Sequence, residues 1–387
     1  MSERHLDFDT VIDRKGTRSL KYDFAVRRGK PKDVLPLWVA DMDFQTSSYI
    51  TDALEDMVKH GVFGYSESEE HYFGAVQNWM ERHYNWHVKE SWMTKTPGIV
   101  FALAMAVKAY TQENDAVLIQ PPVYYPFKEV VEDNHRRLVN NTLVLGGDGT
   151  YTIDYEDFEK KIIEENVKLF ILCNPHNPVG RVWTKEELER LGDICLKHGV
   201  FVVSDEIHAD FVFERKHTVF SEVKEAYRDI SMICTSPSKT FNIAGLHISN
   251  PEKATAFRRQ VAAAGYSQVG LPGLVACEAA YRHGDEWLEG VLAYIKANAE
   301  FTRAYLQEHL SRVKMTKLEG TYLVWLDFRD YGLTDKELDE KIFNQAGLWL
   351  DSGAVFGKCG EGFQRINIAC PRKTLQQALD RLIDVFA

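Results

Sequence analysis

Four short apolar runs, each followed by a turn of small or polar residues, constrain most strongly what this chain can fold into. They are residues 115–120 (DAVLIQ), 167–173 (VKLFILC), 199–205 (GVFVVSD) and 230–235 (ISMICT). Their apolar residues run almost without alternation, the pattern of parallel strands covered on both faces. Between the second and third runs the spacing predicts a helix. Thr184 is its N-cap with Glu187 placed for a capping box, Leu188, Leu191 and Cys195 form an apolar stripe, and Gly199 can close the end. Strand–helix–strand alternation at this spacing means an α/β domain, with a mostly parallel central sheet covered by helices.

Upstream, Val100, Leu103, Val107 and Tyr110 recur at helical spacing behind Thr96-Pro97-Gly98, so a helix is expected to open at Gly98. Downstream, residues 284–310 read as a long helix crossing between domains. It is followed by an apolar run at 322–328 (YLVWLDF), an amphipathic segment at 335–345, a stretch at 362–369 and a terminal helix from Thr374. This tail is α+β in style. The 387 residues suit two or three domains. The expected division is a large α/β domain at 47–285 and a smaller α+β domain made of 1–46 with 286–387.

Composition removes several functional classes. Hydrophobic residues at 45% and charged residues at 27% exclude a disordered or fibrous chain. A net charge of -11 repels phosphate backbones, so nucleic acid is not an expected partner. No apolar run approaches the roughly 18 residues of a membrane span. The first thirty residues carry charges throughout and lack an apolar leader core, so a cytoplasmic enzyme is expected. Cys173, Cys195, Cys234, Cys277, Cys359 and Cys370 show no CxxC spacing and read as reduced core thiols. His83 and His87 stand at i, i+4 without an accompanying third ligand, and no metal site is expected.

Chemistry-bearing residues cluster just past the strand ends and at one helix start, the edge where open α/β sheets bind ligands. Residues 173–180 (CNPHNPVG) hold two Asn-Pro steps that force a sharp turn and leave the Asn177 amide to meet a ligand oxygen. Asp205 ends the third run. A carboxylate there can cap a helix, or it can stay ionised beside a cationic ring nitrogen and keep that nitrogen protonated. Ser236 and Ser238 precede Lys239, small hydroxyls suited to a phosphate next to an amine; a desolvated lysine can form a Schiff base and shuttle protons. Gly98, Ile99 and Val100 open a helix whose free N–H groups favour phosphate. Tyr124, after the first run, is placed to stack on a ring. Together these groups match pyridoxal 5′-phosphate, a cofactor that serves as an electron sink.

At these residues the sequence resembles the fold-type I pyridoxal-phosphate enzymes of the aminotransferase superfamily, and within them the MalY/PatB-like cystathionine β-lyase (C–S lyase) subgroup. The resemblance is carried by 37–44 (LWVADMDF), 63–65 (FGY), 120–124, 174–180, 204–208 (SDEIH), 236–245, 320–327 (GTYLVWLD) and 365–367 (RIN), and runs from about residue 7 to the C-terminus. It implies that Lys239 carries the cofactor covalently, Asp205 meets the ring nitrogen, Asn177 meets the phenolic oxygen and Tyr124 stacks on the ring. Ser236, Ser238 and the Gly98–Val100 backbone would hold the phosphate. Arg365 would clamp the substrate α-carboxylate. Tyr65 would reach the phosphate of a neighbouring subunit, which implies a homodimer with shared sites.

Two positions depart from the aminotransferase pattern. His247 stands where many aminotransferases carry a phosphate-binding arginine, and His208 where many carry a tyrosine near the phenolic oxygen. Both lean toward the lyases. The sequence after His247 also reaches Pro251 sooner than the family pattern, so a shortened strand is expected there. The implied activity is α,β-elimination of L-cystathionine and other S-substituted L-cysteines to a thiol, pyruvate and ammonia, with Lys239 and Tyr124 as the catalytic pair. The alternatives are an amino-acid aminotransferase and a non-catalytic regulator that keeps the fold.

Overall fold

The computed structural model of the chain describes residues 6–244, 250–251 and 255–387. His247 and most of the segment expected to be short lie outside the described residues.

All four apolar runs are strands of one six-stranded sheet. Its spatial order is Arg137–Asn140, Ala116–Ile119, Val167–Cys173, Phe201–Asp205, Ser231–Thr235 and Asn250–Pro251. The first five run parallel and the last antiparallel. Alternate side chains of a strand point to opposite faces, so one run feeds two cores. Val117, Leu169, Ile171, Val203 and Met232 pack against the Ile99–Tyr110 helix. Leu118, Phe170, Leu172 and Val202 pack with Leu188, Leu191 and Cys195 of the Lys185–His198 helix. That second helix has the full Thr184–Glu187 capping box and ends on Gly199 in the left-handed region, φ +65°. The edge strand Arg137–Asn140, polar and exposed at both ends, has no apolar run to announce it.

A second sheet, all antiparallel, follows the order Lys314–Met315, Leu323–Asp327, Phe363–Asn367 and Asp351–Ser352. The long helix spans Asp285–His309, and buried Asn298 on it donates to the carbonyls of Ile368 (2.8 Å) and Cys370 (2.9 Å), docking it on this sheet. The terminal helix is Arg372–Phe386, entered from Pro371 rather than from Thr374. The segment expected to be one amphipathic helix is α-helical over Asp335–Glu340 and then widens into a π-turn over Lys341–Gln345. Near the N-terminus, Leu35–Pro36 pairs parallel with Leu348–Trp349, and Trp38 stacks on Trp349 with ring centroids 4.4 Å apart. This pairing of the N-terminal arm with the C-terminal third supports the division we propose, 1–46 with 286–387 against 47–285. Five cysteines are buried free thiols, while Cys359 is only half-buried. Among the described residues no helix is long and apolar enough to cross a membrane.

Candidate active site

The parallel register brings the carboxyl ends of three strands to one level: Cys173 lies opposite Asp205, and Asp205 opposite Cys234. Beyond this edge, between the two sheets, opens a cavity of about 280 Å³. Asp205 enters it while 4% exposed, and one of its oxygens accepts from the Ile207 N–H at 3.2 Å. Burial pushes its carboxyl up to about 7, partly offset by that hydrogen bond and by the Lys239 charge. A buried carboxylate in this condition is completed by a cationic partner in the cavity.

The 174–180 turn follows the Val167–Cys173 strand, with both Asn-Pro bonds cis. Gly180 closes it at φ +74°, where a Cβ would stand 2.6 Å from Leu318 Cδ1, so glycine is required twice over. Asn177 is fixed from two sides. Its carbonyl accepts from the Tyr124 N–H at 3.0 Å, and its Oδ1 accepts from Arg365 Nη1 at 2.9 Å. With Oδ1 engaged, the Nδ2 donor remains for a ligand oxygen.

Lys239 sits on a single helical turn, Pro237–Thr240, started by Ser236, whose Oγ accepts from the Ser238 N–H at 3.1 Å. From behind, Thr240 Oγ1 donates to Asp210 Oδ2 at 2.5 Å. The lysine Nζ donates to the Ala40 carbonyl at 2.7 Å, an acceptor it shares with Tyr322 Oη at 2.9 Å. Burial lowers the amine to about 8, against the attraction of Asp41 and with help from Arg365. His208 is buried with no partner for its Nδ1 among the described residues, and burial together with the Lys239 and Arg365 charges holds it well below the usual imidazole value.

One wall is formed by Trp38, Val39 and Ala40, the start of a 38–44 segment whose peptide groups are gripped by side chains from both halves. Arg365 Nη2 donates to the Trp38 carbonyl at 2.7 Å, and Asn367 Nδ2 to those of Val39 and Asp41, both at 2.6 Å. Asn242 accepts from the Met42 N–H and donates to the Met42 and Phe44 carbonyls. Arg14 and fully buried Lys21 neutralise Asp41 and Asp43 on the same segment.

Of the residues singled out from sequence, the cavity gathers Gly98, Ile99 and Val100, then Tyr124, Asn177 and Asp205, then His208, Ser238, Lys239 and Arg365. Ser236 is the cap just behind Ser238. Tyr65 does not line this cavity and is 98% exposed. Sequence reasoning missed Asp351, whose carboxylate lines the cavity and pairs with Arg365 Nη2. The available signal was its standing as the lone charge within residues 346–357 (AGLWLDSGAVFG).

This donor set fits pyridoxal 5′-phosphate on its own chemistry. A buried carboxylate suits a ring N–H⁺, a desolvated amine suits an aldehyde, and a helix start beside Ser238 suits a phosphate.

Residues 32–382 match the family model for aminotransferase class I and II. The chain is 44% identical to cystathionine beta-lyase PatB of Bacillus subtilis, over 97% of this chain and 99% of that one. Its structure is similar to that of cystalysin from Treponema denticola, which contains pyridoxal 5′-phosphate, with a TM-score of 0.95, 36% identity and 99% of each chain covered. It is also similar to the pyridoxal-phosphate-bound C–S lyase of Staphylococcus hominis, with a TM-score of 0.93, 31% identity, and 100% of this chain and 99% of that one covered.

Proposed function

The chain belongs to the aminotransferase class I and II family, in its MalY/PatB-like branch of pyridoxal-phosphate C–S lyases, and from that premise we propose how its own residues carry out the reaction. The protein is a C–S β-lyase that splits L-cystathionine and other S-substituted L-cysteines into a thiol, pyruvate and ammonia. Bound pyridoxal 5′-phosphate supplies the sink for the electron pair left at the substrate Cα. The observation that carries the assignment of roles is the convergence of Lys239, Asp205 and the Arg365–Asn177 pair on one cavity.

Asp205 holds the cofactor ring nitrogen as a cation, and each charge removes the other's cost of burial. Asn177 offers its Nδ2 to the phenolic oxygen, Tyr124 covers the ring face, and Ser236, Ser238 and the 98–100 backbone hold the phosphate. His208 is neutral at physiological pH and packs edge-on against Tyr322, 5.8 Å between centroids, beside the ring site. Arg365 orients the substrate carboxylate through its planar fork. Lys239 is the attachment point of the cofactor. Its amine, lowered to about 8, takes the proton from Cα and can return one to sulfur as the Cβ–S bond breaks with its electron pair on sulfur. Tyr124, raised well above the ordinary phenol value by burial, stays protonated and is the second donor for the departing thiolate. The enamine released takes up water to give pyruvate and ammonia.

Tyr65, exposed and away from its own cavity, supports a homodimer in which each subunit completes the other's phosphate site. The reading places the enzyme in the cytoplasm. The test is pyruvate and thiol release from L-cystathionine with no 2-oxo acid present. Lys239→Ala is expected to lower turnover by about a thousandfold or more while retaining the fold. Near-normal pyruvate release by that variant would refute the role of Lys239, and a strict need for an oxo-acid acceptor would return the protein to the aminotransferases.

A further inference from the structure

Among the described residues, four charged side chains line the cavity: Lys239, Asp205, Arg365 and Asp351. The lyase reading uses Lys239 for the cofactor and proton, Asp205 for the ring nitrogen and Arg365 for the α-carboxylate. Asp351 is left over. It is the cross-strand neighbour of Arg365 in the antiparallel pair of Asp351–Ser352 with Phe363–Asn367, which sets the two side chains on one face. One carboxylate oxygen accepts from Arg365 Nη2, and the Asp351 carboxylate makes no other hydrogen bond to a described residue. Lys30 lies within electrostatic reach of Asp351, as it does of Asp339, but stands outside the cavity. Lys30 lies 3.2 Å from the Phe343 ring centroid and Arg28 5.3 Å from that of Trp38, and neither lines the cavity.

A substrate held by Arg365 through its α-carboxylate therefore extends its S-linked group into a space where, among the described residues, the one charge that neither cofactor nor substrate claims is the Asp351 carboxylate, paired only with Arg365. Resting on the lyase reading, we propose that Asp351 selects substrates by charge. It favours S-substituted cysteines whose leaving group carries an ammonium, as the distal ends of L-cystathionine and L-cystine do, and rejects those ending in a carboxylate alone. A site for dicarboxylic amino acids needs a second cation where this protein has an anion. The same carboxylate shares Arg365 with the substrate, so it also keeps the guanidinium from gripping a second carboxylate.

The test uses the holoenzyme and isosteric side chains of different charge. Turnover is measured with S-(2-aminoethyl)-, S-propyl- and S-carboxymethyl-L-cysteine, and inhibition constants with the unreactive L-lysine, L-norleucine and L-2-aminoadipate. The wild type is expected to prefer the cationic member of each series over the anionic one by about tenfold or more, with the neutral member between. In Asp351→Asn that ratio is expected to collapse to within about threefold or to invert, whatever happens to absolute rates. A wild-type enzyme indifferent to charge in both series overturns the proposal. So does a variant that loses all members of a series equally, which would make Asp351 a support for Arg365 alone. If no substrate yields pyruvate, the lyase reading fails, and the inhibition constants still decide the charge preference.

Discussion

Arg365 donates from Nη1 to Asn177 Oδ1 at 2.9 Å, a bond that spans 188 positions of sequence and joins the C-terminal sheet to the turn beyond the Val167–Cys173 strand. The same guanidinium reaches the Trp38 carbonyl and Asp351. One side chain thus ties together Asn177, the 38–44 segment and Asp351, and in the roles proposed above it joins the substrate's carboxylate to the residue facing the cofactor oxygen. It follows that Arg365→Lys, which keeps the charge and loses the fork, should cost about a hundredfold in kcat/KM. Most of the loss is expected in KM. A lysine variant with wild-type KM for L-cystathionine would show that the carboxylate is held elsewhere.

Asp205 makes the cofactor-free protein sensitive to pH in a predictable direction. Its carboxyl titrates near 3.8 in an unfolded chain and at about 7 in the fold, so between those values the folded protein binds the extra proton. Stability contributed by the protonated group is complete below 3.8 and is lost as pH rises through about 7, on the order of 4 kcal/mol in all. Urea midpoints of cofactor-free protein should fall across this window, and Asp205→Asn should flatten the fall. An unchanged slope in the variant would mean that another group titrates there. With Asp205 facing a ring cation, as proposed, the ionised form would be favoured in the loaded enzyme, and the slope should shrink.

The strands and the four chemical clusters were legible because each is local: an apolar run sets a strand, and the residues that follow it set the turn at its end. Asn177, Asp205 and Lys239 could be placed at one edge by that logic alone. The grip on the 38–44 segment was not legible. Asn367 and Asn242 act on peptide groups more than 190 positions away, and nothing in their immediate neighbours marks them for it. Asp351 escaped for a related reason, since a two-residue strand carries no periodicity and its partner is known only once the sheet is formed.

Tyr65 tests the shared site. If it donates to a phosphate across the subunit boundary, Tyr65→Phe should raise the dissociation constant of the cofactor by about tenfold, the scale of one hydrogen bond to a charged group. Equilibrium dialysis reads the affinity, and sedimentation velocity checks that the dimer survives. An intact dimer with unaltered cofactor affinity would remove Tyr65 from the site.

Gly353 follows the Asp351–Ser352 strand, and a Cβ there would overlap the Gly360 carbonyl and stand 2.7 Å from that of Phe363. Gly353→Ala should therefore destabilise the fold by about 1–3 kcal/mol, seen as a lower urea midpoint. Because the displaced backbone carries Asp351, the variant should also lose discrimination between cationic and anionic substrates. A variant as stable as wild type would mean that the 353–360 turn yields freely.

The levelled register of Cys173, Asp205 and Cys234 has a consequence for how such a protein can diversify. Adding one residue inside any of these strands would turn its side chains to the opposite face and carry a whole loop about 3.3 Å out of step, so proton handling and ring binding would fail together. The antiparallel sheet that bears residue 351 lies outside that constraint. With Asp351 selecting by charge, as proposed, lineages built on this frame could rewrite what they cleave by editing a single short hairpin edge, while the machinery of bond breaking is inherited as a block.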